Sequence, residues 1–412
     1  MDRPALLPLT ALQQRMWHLC TAYPGKSSPI VVLSWQLRGP LDVAAFAGAV
    51  AQVVDRHPSL RTRFPVRDGR PWQEVGPVGR FEVECLVSDD PLPLVTELTV
   101  ALLDLEQGPL VRSRLIKVDD EVHVWCFAAH HLLADGASAK LIEAEVVALY
   151  QGKELPPASV AVHTHDPGGL RWWVDRLAGV PPLELAAARP AVKEASSAQV
   201  DHGLDGDLTT ALERLARAER STLFMVLFTG YQMLLALRSG QRDFCVGTPV
   251  DGRTEVDQEE AVGLFANMLA LRCDLSGAAT FRELLRRTRA VTIDALARQD
   301  VPFGRIVEAL GLPHDRSRTQ VFQTIFSMHT VGGGRTELPG VTVEMFASAS
   351  PQVLHDLVLD LWHGPDGVWL TFRYDKALFA AGEVMELARR FEAVLRAAVA
   401  DPDVPLSGLE VW

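Results

Sequence analysis

Cysteine is scarce in this chain: five residues in 412, at Cys20, Cys85, Cys126, Cys245 and Cys273. They are far apart and no CxxC pair occurs. That pattern opposes a zinc site or a disulfide framework and predicts buried free thiols in a reducing compartment. Long hydrophobic runs are lacking as well. The most apolar stretch, TLFMVLFTGYQMLLALRSG, is short and interrupted by Thr229, Gly230, Tyr231 and Gln232. It reads as a buried core helix, not a membrane span. MDRPALLPLT at the N-terminus has no apolar signal region and is broken by Pro4 and Pro8, so a cytoplasmic location is expected. Positive charge is in deficit, with 40 Lys+Arg against 52 Asp+Glu and a net charge of −12. This argues against a nucleic-acid surface, which would need a basic stripe, and against an anionic membrane partner. A phosphate-cradling loop is also missing: VGGGR at Val331–Arg335 lacks the Lys-Ser/Thr ending.

What remains is ordinary globular material, 48% hydrophobic and 22% charged. The length exceeds one compact core, so two or three domains are expected. In the first half, Thr10 caps a helix through ALQQRMWHLC and Asp42 caps one through DVAAFAGAVAQVVDRH, which ends near Pro58. LRTRFPVRDGRPWQEV predicts a hairpin turning at Asp68-Gly69. LVRSRLIKV and EVHVWCFAAHH predict paired strands joined at Asp119-Asp120, followed by an amphipathic helix in ASAKLIEAEVVALYQG.

KELPPASVAVHTHDPGG, Lys153–Gly169, interrupts this order and reads as a linker. Its His163 and His165 lack a supporting carboxylate or thiol pattern, so a solvated loop is favoured over a metal site. The second half predicts strands at AQVDHGL, DFCVGTPVDGR, LFANMLALRCDL, QVFQTIFSMH, VTVEMFA, DLVLDLW and VWLTFRY, with helices between and after them. Strands and helices mix without strict alternation. The expected class is α+β in two similar halves, 1–160 and 161–412.

One stretch carries chemistry. In CFAAHHLLADGAS an apolar strand ends in His130 and His131, with Asp135 and Gly136 after a short turn. Histidine suits proton transfer near neutrality, a carboxylate four residues on can fix the loop or contact the ring, and glycine admits close approach to the backbone. On local physics, an active site and a decorated strand end are evenly matched. Neither Ser, Cys nor a second carboxylate is patterned nearby as a covalent nucleophile. An enzyme built on this stretch is expected to bring one bound substrate directly against another.

HHLLADG resembles the HHxxxDG signature of the condensation domains of nonribosomal peptide synthetases. Other segments resemble that family's motifs in the family's order: LTALQQRMWHL, DRHPSLRTRF with Pro58 in place of the usual Glu, LRWWVDRLAG, VGLFANMLALR with Ala266 in place of Val, RQDVPFGRIVEAL and HDRSRTQVFQTIF. VGTPVDGR is similar to the family's GxPxxGR strand and turn. The resemblance implies two chloramphenicol-acetyltransferase-like subdomains in a V-shaped pseudo-dimer with a central tunnel. It implies His131 as the catalytic residue, accepting a proton from the attacking amine or positioning it. His130 is implied to be structural, and Asp135 to be an architectural carboxylate paired with Arg56. Gly136 lines the site, and its N–H is a candidate oxyanion donor. Asn267 and Gln299 lie in matched motifs where packing is at least as good a role as chemistry, and Ser327 is a candidate substrate contact. Ala134 and Ala137, standing where Ser and Trp are frequent, are expected to open space near the site.

The same resemblance implies no bound cofactor or metal, the 4′-phosphopantetheine being presented by donor and acceptor carrier proteins. It implies a small amine or alcohol acceptor and a monomer. The cyclisation pattern DxxxxD is absent. With Met1 shortly before the first motif, and neither an LGGxS carrier site nor adenylation motifs, a free-standing condensation enzyme is expected, with a module cut from a longer synthetase as the alternative. Two rivals stand beside it: a same-fold acyltransferase using acyl-CoA or a carrier-bound donor and a free alcohol, and a non-catalytic docking domain.

Overall fold

A computed structural model describes residues 6–22, 29–159, 167–192, 196–313, 315–330, 337–346, 354–365 and 367–406. The chain divides into two compact units. The first takes Met1–Thr164, Asp251–Ala266 and Gly334–Pro351; the second takes His165–Val250, Asn267–Gly333 and Gln352–Trp412. Two segments from the second half of the sequence therefore belong to the first unit, a crossing that one boundary at 160/161 does not capture. That boundary, the linker histidines His163 and His165, and Val331–Arg335 lie outside the described residues. Both units combine helices with a sheet, the α+β class expected.

The first unit is organised on a six-stranded sheet. Its order is Glu337–Leu338, Val341–Met345, Ile30–Arg38, Val122–His130, Val111–Lys117 and Glu84–Val87. Strand Val122–His130 sits inside the sheet and is buried on both faces, which explains its nearly unbroken apolar run. Its two-residue period sorts the side chains. Trp125, Phe127 and Ala129 join one core, with Phe46, Val50 and Val53 of helix Val43–Arg56 and Ile142 and Val146 of helix Gly136–Tyr150. Val124, Cys126 and Ala128 join another, with Val95 and Leu98 of helix Leu92–Val100. The capping readings hold: Asp42 accepts from the Ala45 N–H at 2.9 Å, and Thr10 Oγ1 accepts from the Gln13 N–H at 3.2 Å. The hairpin turn also forms, with Asp68 and Gly69 at φ 52° and 73°. VTVEMFA is a strand that pairs on one side with its neighbour Glu337–Leu338 and on the other with Ile30–Arg38 of the first half, Met345 lying opposite Trp35.

The second unit has a six-stranded sheet in the order Asn267–Asp274, Asp243–Val250, Thr324–Thr330, Leu357–Gly364, Gly367–Asp375 and Ser197–Leu204. Leu357, Leu359 and Leu361 alternate into its core, as do Val368, Leu370, Phe372 and Tyr374. Helix Leu223–Ser239 is buried along every residue from Met225 to Leu235, which accounts for its all-round apolar sequence. Gly230 permits this packing, because a Cβ there would stand 2.7 Å from Leu395 of helix Ala381–Ala400. Among the described residues, no single helix is long and apolar enough to cross a membrane.

All five cysteines are free. Cys126, Cys245 and Cys273 are buried as expected, but Cys20 is half-buried and Cys85 is exposed. Cys85 differs because its short strand is the outer edge of the sheet, with little packed against it.

Candidate active site

The site begins where strand Val122–His130 stops. The chain does not fray there, because the His130 N–H donates to the Leu110 carbonyl and the His131 N–H to that of Pro29, each at 2.9 Å. A tight turn follows, closed by the Leu133 N–H on the His130 carbonyl at 2.9 Å. Leu132, Leu133 and Ala134 enter the core and anchor it. Ala134 therefore fills the interior at 0% exposure and opens no space at the site, contrary to expectation. Asp135 then starts helix Gly136–Tyr150 as its N-cap, accepting from the Ser138 N–H at 2.9 Å.

The two histidines live in different surroundings. His130 is buried, and its Nδ1 accepts from the Leu132 N–H at 3.0 Å. That fixes the proton on Nε2, which faces Cys20 Sγ at 3.7 Å. Burial, and secondarily the charge of His131, pushes its pKa down to about 3, so the ring is a neutral structural element. His131 is also lowered, chiefly by burial, against opposing pulls from the Asp135 charge and the backbone of His131 and Ala134. Its Nδ1 is buried and lies outside hydrogen-bonding geometry with any described group. The result is a neutral imidazole that no carboxylate holds.

Asp135 is unavailable for that task because its oxygens are already engaged. It is buried and accepts six hydrogen bonds. Ser138 supplies its N–H at 2.9 Å and its hydroxyl at 2.8 Å. Backbone N–H groups of Phe265 and Ala266 donate at 2.8 and 2.9 Å. Arg253 forks onto both oxygens, Nη1 at 3.0 Å and Nη2 at 3.1 Å. Burial alone would raise this carboxyl; the Arg253 bonds and charge and the donors from Ser138 and Phe265 outweigh it, and the group is held below the ordinary carboxylate range.

Arg56 is not the partner of Asp135. It ends helix Val43–Arg56 and donates Nε to Glu145 at 3.1 Å, while His57 Nε2 meets the other oxygen of Glu145 at 2.7 Å. Those two residues tie this helix to Gly136–Tyr150. Arg253 holds its place through further bonds to the carbonyls of Gln258 and Ala261, each at 3.0 Å, and lies 4.5 Å over the Phe265 ring. The signal was present in VGTPVDGR: Gly252, at φ 71°, turns the chain immediately before this arginine. The residue stands over a hundred positions after Asp135, so spacing could not assign the pair.

Gly136 is exposed, and a Cβ there would meet nothing within 4 Å. Its N–H belongs to the first helical turn, where intrahelical acceptors are lacking. The remaining candidates lie in the second unit. Asn267 is buried and donates to the carbonyls of Gln299 and Val301 at 2.8 and 2.7 Å, while its Oδ1 accepts from the Phe303 N–H at 3.0 Å. It staples the start of a strand to the turn between two helices. Gln299 takes part through its carbonyl. Ser327 gives its hydroxyl to Asp360, which also receives Arg373 Nε at 2.8 Å, and lies 3.2 Å from His329 Nε2. A serine, a histidine and an aspartate meet here without the order of a nucleophilic relay. The hydroxyl bonds the carboxylate directly, and an arginine neutralises that carboxylate. Among the described residues, no cluster of three or more His, Cys, Asp or Glu side chains is arranged to hold a metal.

The family model described as Condensation domain matches residues 5–412. Tyrocidine synthase 3 of Brevibacillus parabrevis is 33% identical over 424 residues, covering 99% of this chain and 6% of that protein. The chain thus spans a small fraction of the length of this curated relative. The solved complex of the X-domain and OxyB from teicoplanin biosynthesis matches at a TM-score of 0.87 and 25% identity, covering 99% of this chain and 96% of that one. The condensation domain of the Monacolin K polyketide synthase MokA shares the fold at a TM-score of 0.88 and 20% identity, covering 98% and 99%.

Proposed function

This chain belongs to the condensation domain family, and we propose that it joins a carrier-bound acyl or aminoacyl thioester to an amine or hydroxyl without a covalent enzyme intermediate. One observation carries the reading: a neutral imidazole at His131 that no carboxylate bonds stands beside a carboxylate locked into the scaffold at Asp135. A nucleophilic nitrogen attacking a thioester carbon must lose a proton as the C–N bond forms and the C–S bond breaks. His131 accepts or positions that proton, which leaves with the thiol. An imidazole kept neutral below its ordinary pKa is ready for this at physiological pH. Asp135 and Arg253 hold the loop and helix start; His130 holds the strand end. The Gly136 N–H stabilises the developing oxyanion. Asn267, Gln299 and Ser327 serve the second unit's framework and not the bond-forming step. The phosphopantetheine arm arrives with the carrier.

The test loads a carrier protein with donor, offers candidate amines and alcohols, and follows product by mass spectrometry. His131→Ala is expected to lose about 10²–10⁴-fold in rate while remaining folded, the usual worth of a positioned acid–base group. Full turnover in that variant would falsify the assignment. Replacing the carrier thioester with the CoA thioester separates the same-fold acyltransferase reading.

A second reading has one observation in its favour. The X-domain that this chain matches was solved in complex with OxyB, so recruitment of another protein is the rival role. It predicts no product with any donor and acceptor pair, and a stable complex that His131→Ala leaves intact.

A further inference from the structure

The second unit holds a cleft of 350 Å³ beside the edge strand Asn267–Asp274. Three guanidinium groups, Arg176, Arg272 and Arg287, line it with one carboxylate, Asp274. Their commitments differ. Arg272 forks onto Asp243 with Nε at 2.9 Å and Nη2 at 2.7 Å, and gives Nη1 to the carbonyls of Arg176 and Ala178 at 3.1 and 3.0 Å. Arg287 gives Nη1 to the Ser276 carbonyl at 2.6 Å, and its charge acts on Asp274. Arg176 has neither a hydrogen-bond nor an ion-pair partner for its side chain among the described residues, and its Nε is buried.

With Arg272 matched to Asp243 and Arg287 set near Asp274, one uncompensated positive charge remains in the cleft. A half-buried guanidinium without a carboxylate partner is costly, and an oxyanion in the cleft is the group that relieves it best; the buried Nε adds to that cost but lies out of a ligand's reach. The remaining wall is mostly apolar, from Phe228, Leu284, Ala290 and Val291, and its polar members Gln232 and Thr288 are bonded to each other at 2.9 Å. The volume lies at the lower end of the range for small-molecule sites. An inorganic anion would leave that wall uncovered, and a neutral apolar molecule would leave Arg176 unpaired.

We propose that this cleft binds an amphipathic oxyanion, a carboxylate or phosphate monoester on a short apolar chain, with Arg176 as the anchoring cation. The site is independent of the condensation reading. Calorimetric titration of the full chain with octanoate and with octyl phosphate should give saturable binding, and the tighter of the two names the anion's source. Octanol should not compete. Arg176→Met should weaken binding at least about tenfold, the size of one charge-assisted hydrogen bond, without lowering Tm, because the Arg176 side chain holds nothing else in the fold. Val291→Phe, which fills the wall and leaves the charge, should also block binding. The proposal is overturned by absent binding of both probes, by equal affinity in Arg176→Met, by octanol competing as well as octanoate, or by a fall in Tm of Arg176→Met.

Discussion

Each unit contains a buried aspartate paired with an arginine, and the two centres are built differently. Asp135 takes three backbone amides, a hydroxyl and a two-pronged Arg253 whose side chain is 3% exposed. Asp360 takes only side chains, from Ser327, His329 and an Arg373 that is 22% exposed. Backbone amides cannot turn away, so Asp135 fixes the path of two chain segments at once: the helix start at Gly136 and the stretch Asp251–Ala266. Side chains on a sheet face can re-pair with water. The first centre is architecture for the His130–Asp135 loop; the second is a polar patch on a finished sheet.

The largest expected effect tests that contrast. Asp135→Ala leaves a buried guanidinium and several buried donors unmatched and should cost about 5 kcal/mol in urea unfolding. Asp360→Ala, whose arginine keeps access to water, should cost about 2 kcal/mol. Equal losses would erase the distinction. The next effect is read against pH. The folded pKa of His130, about 3, lies below its unfolded value near 6.5. Its contribution is therefore fully present above about pH 6.5 and is lost as pH falls toward about 3, on the order of 4 kcal/mol in all. The Asp135 contribution, from a carboxyl also depressed on folding, is lost only at lower pH, below the ordinary carboxylate range. Stability measured from pH 7 to 4 should fall in wild type and fall by less in His130→Asn, the remaining slope coming from His131 and His123, which burial also lowers. Parallel curves would remove His130 from its structural role.

A smaller effect separates the two arginines. Arg56→Ala should cost about 1–2 kcal/mol, because His57 still holds Glu145 and the carboxylate keeps some exposure. Arg253→Ala should approach the Asp135→Ala value. Reversal of that order in chemical denaturation would restore Arg56 as the partner.

The sequence showed these centres unequally, for physical reasons. Strand Val122–His130 and helix Val43–Arg56 were legible because periodicity and caps are local. The role of Asp135 was legible in kind, since a buried carboxylate demands a cation. Its partner was not, because the match to Arg253 is made by the fold, across 118 positions. The pairing of Val341–Met345 with Ile30–Arg38 was hidden for the same reason: alternation announces a strand but not its neighbour. Ala134 misled because a small residue beside a motif looks like vacated space, when the turn carries it into the core. Asn267 sat in a matched segment, yet only its four bonds reveal a staple.

The smallest expected effect on the fold is at Gly136, and there the outcome bears most directly on the chemistry. Nothing lies within 4 Å of an added Cβ, and the backbone is not in the left-handed region. Gly136→Ala should therefore leave stability unchanged or raise it by about 0.5 kcal/mol, as expected for alanine in a helix turn. The protein has no packing use for this glycine. If its N–H meets the developing oxyanion, the new methyl crowds the acyl group and the condensation rate should fall at least about tenfold at unchanged Tm. A variant with both full stability and full rate would leave the loop's reactivity to His131 alone.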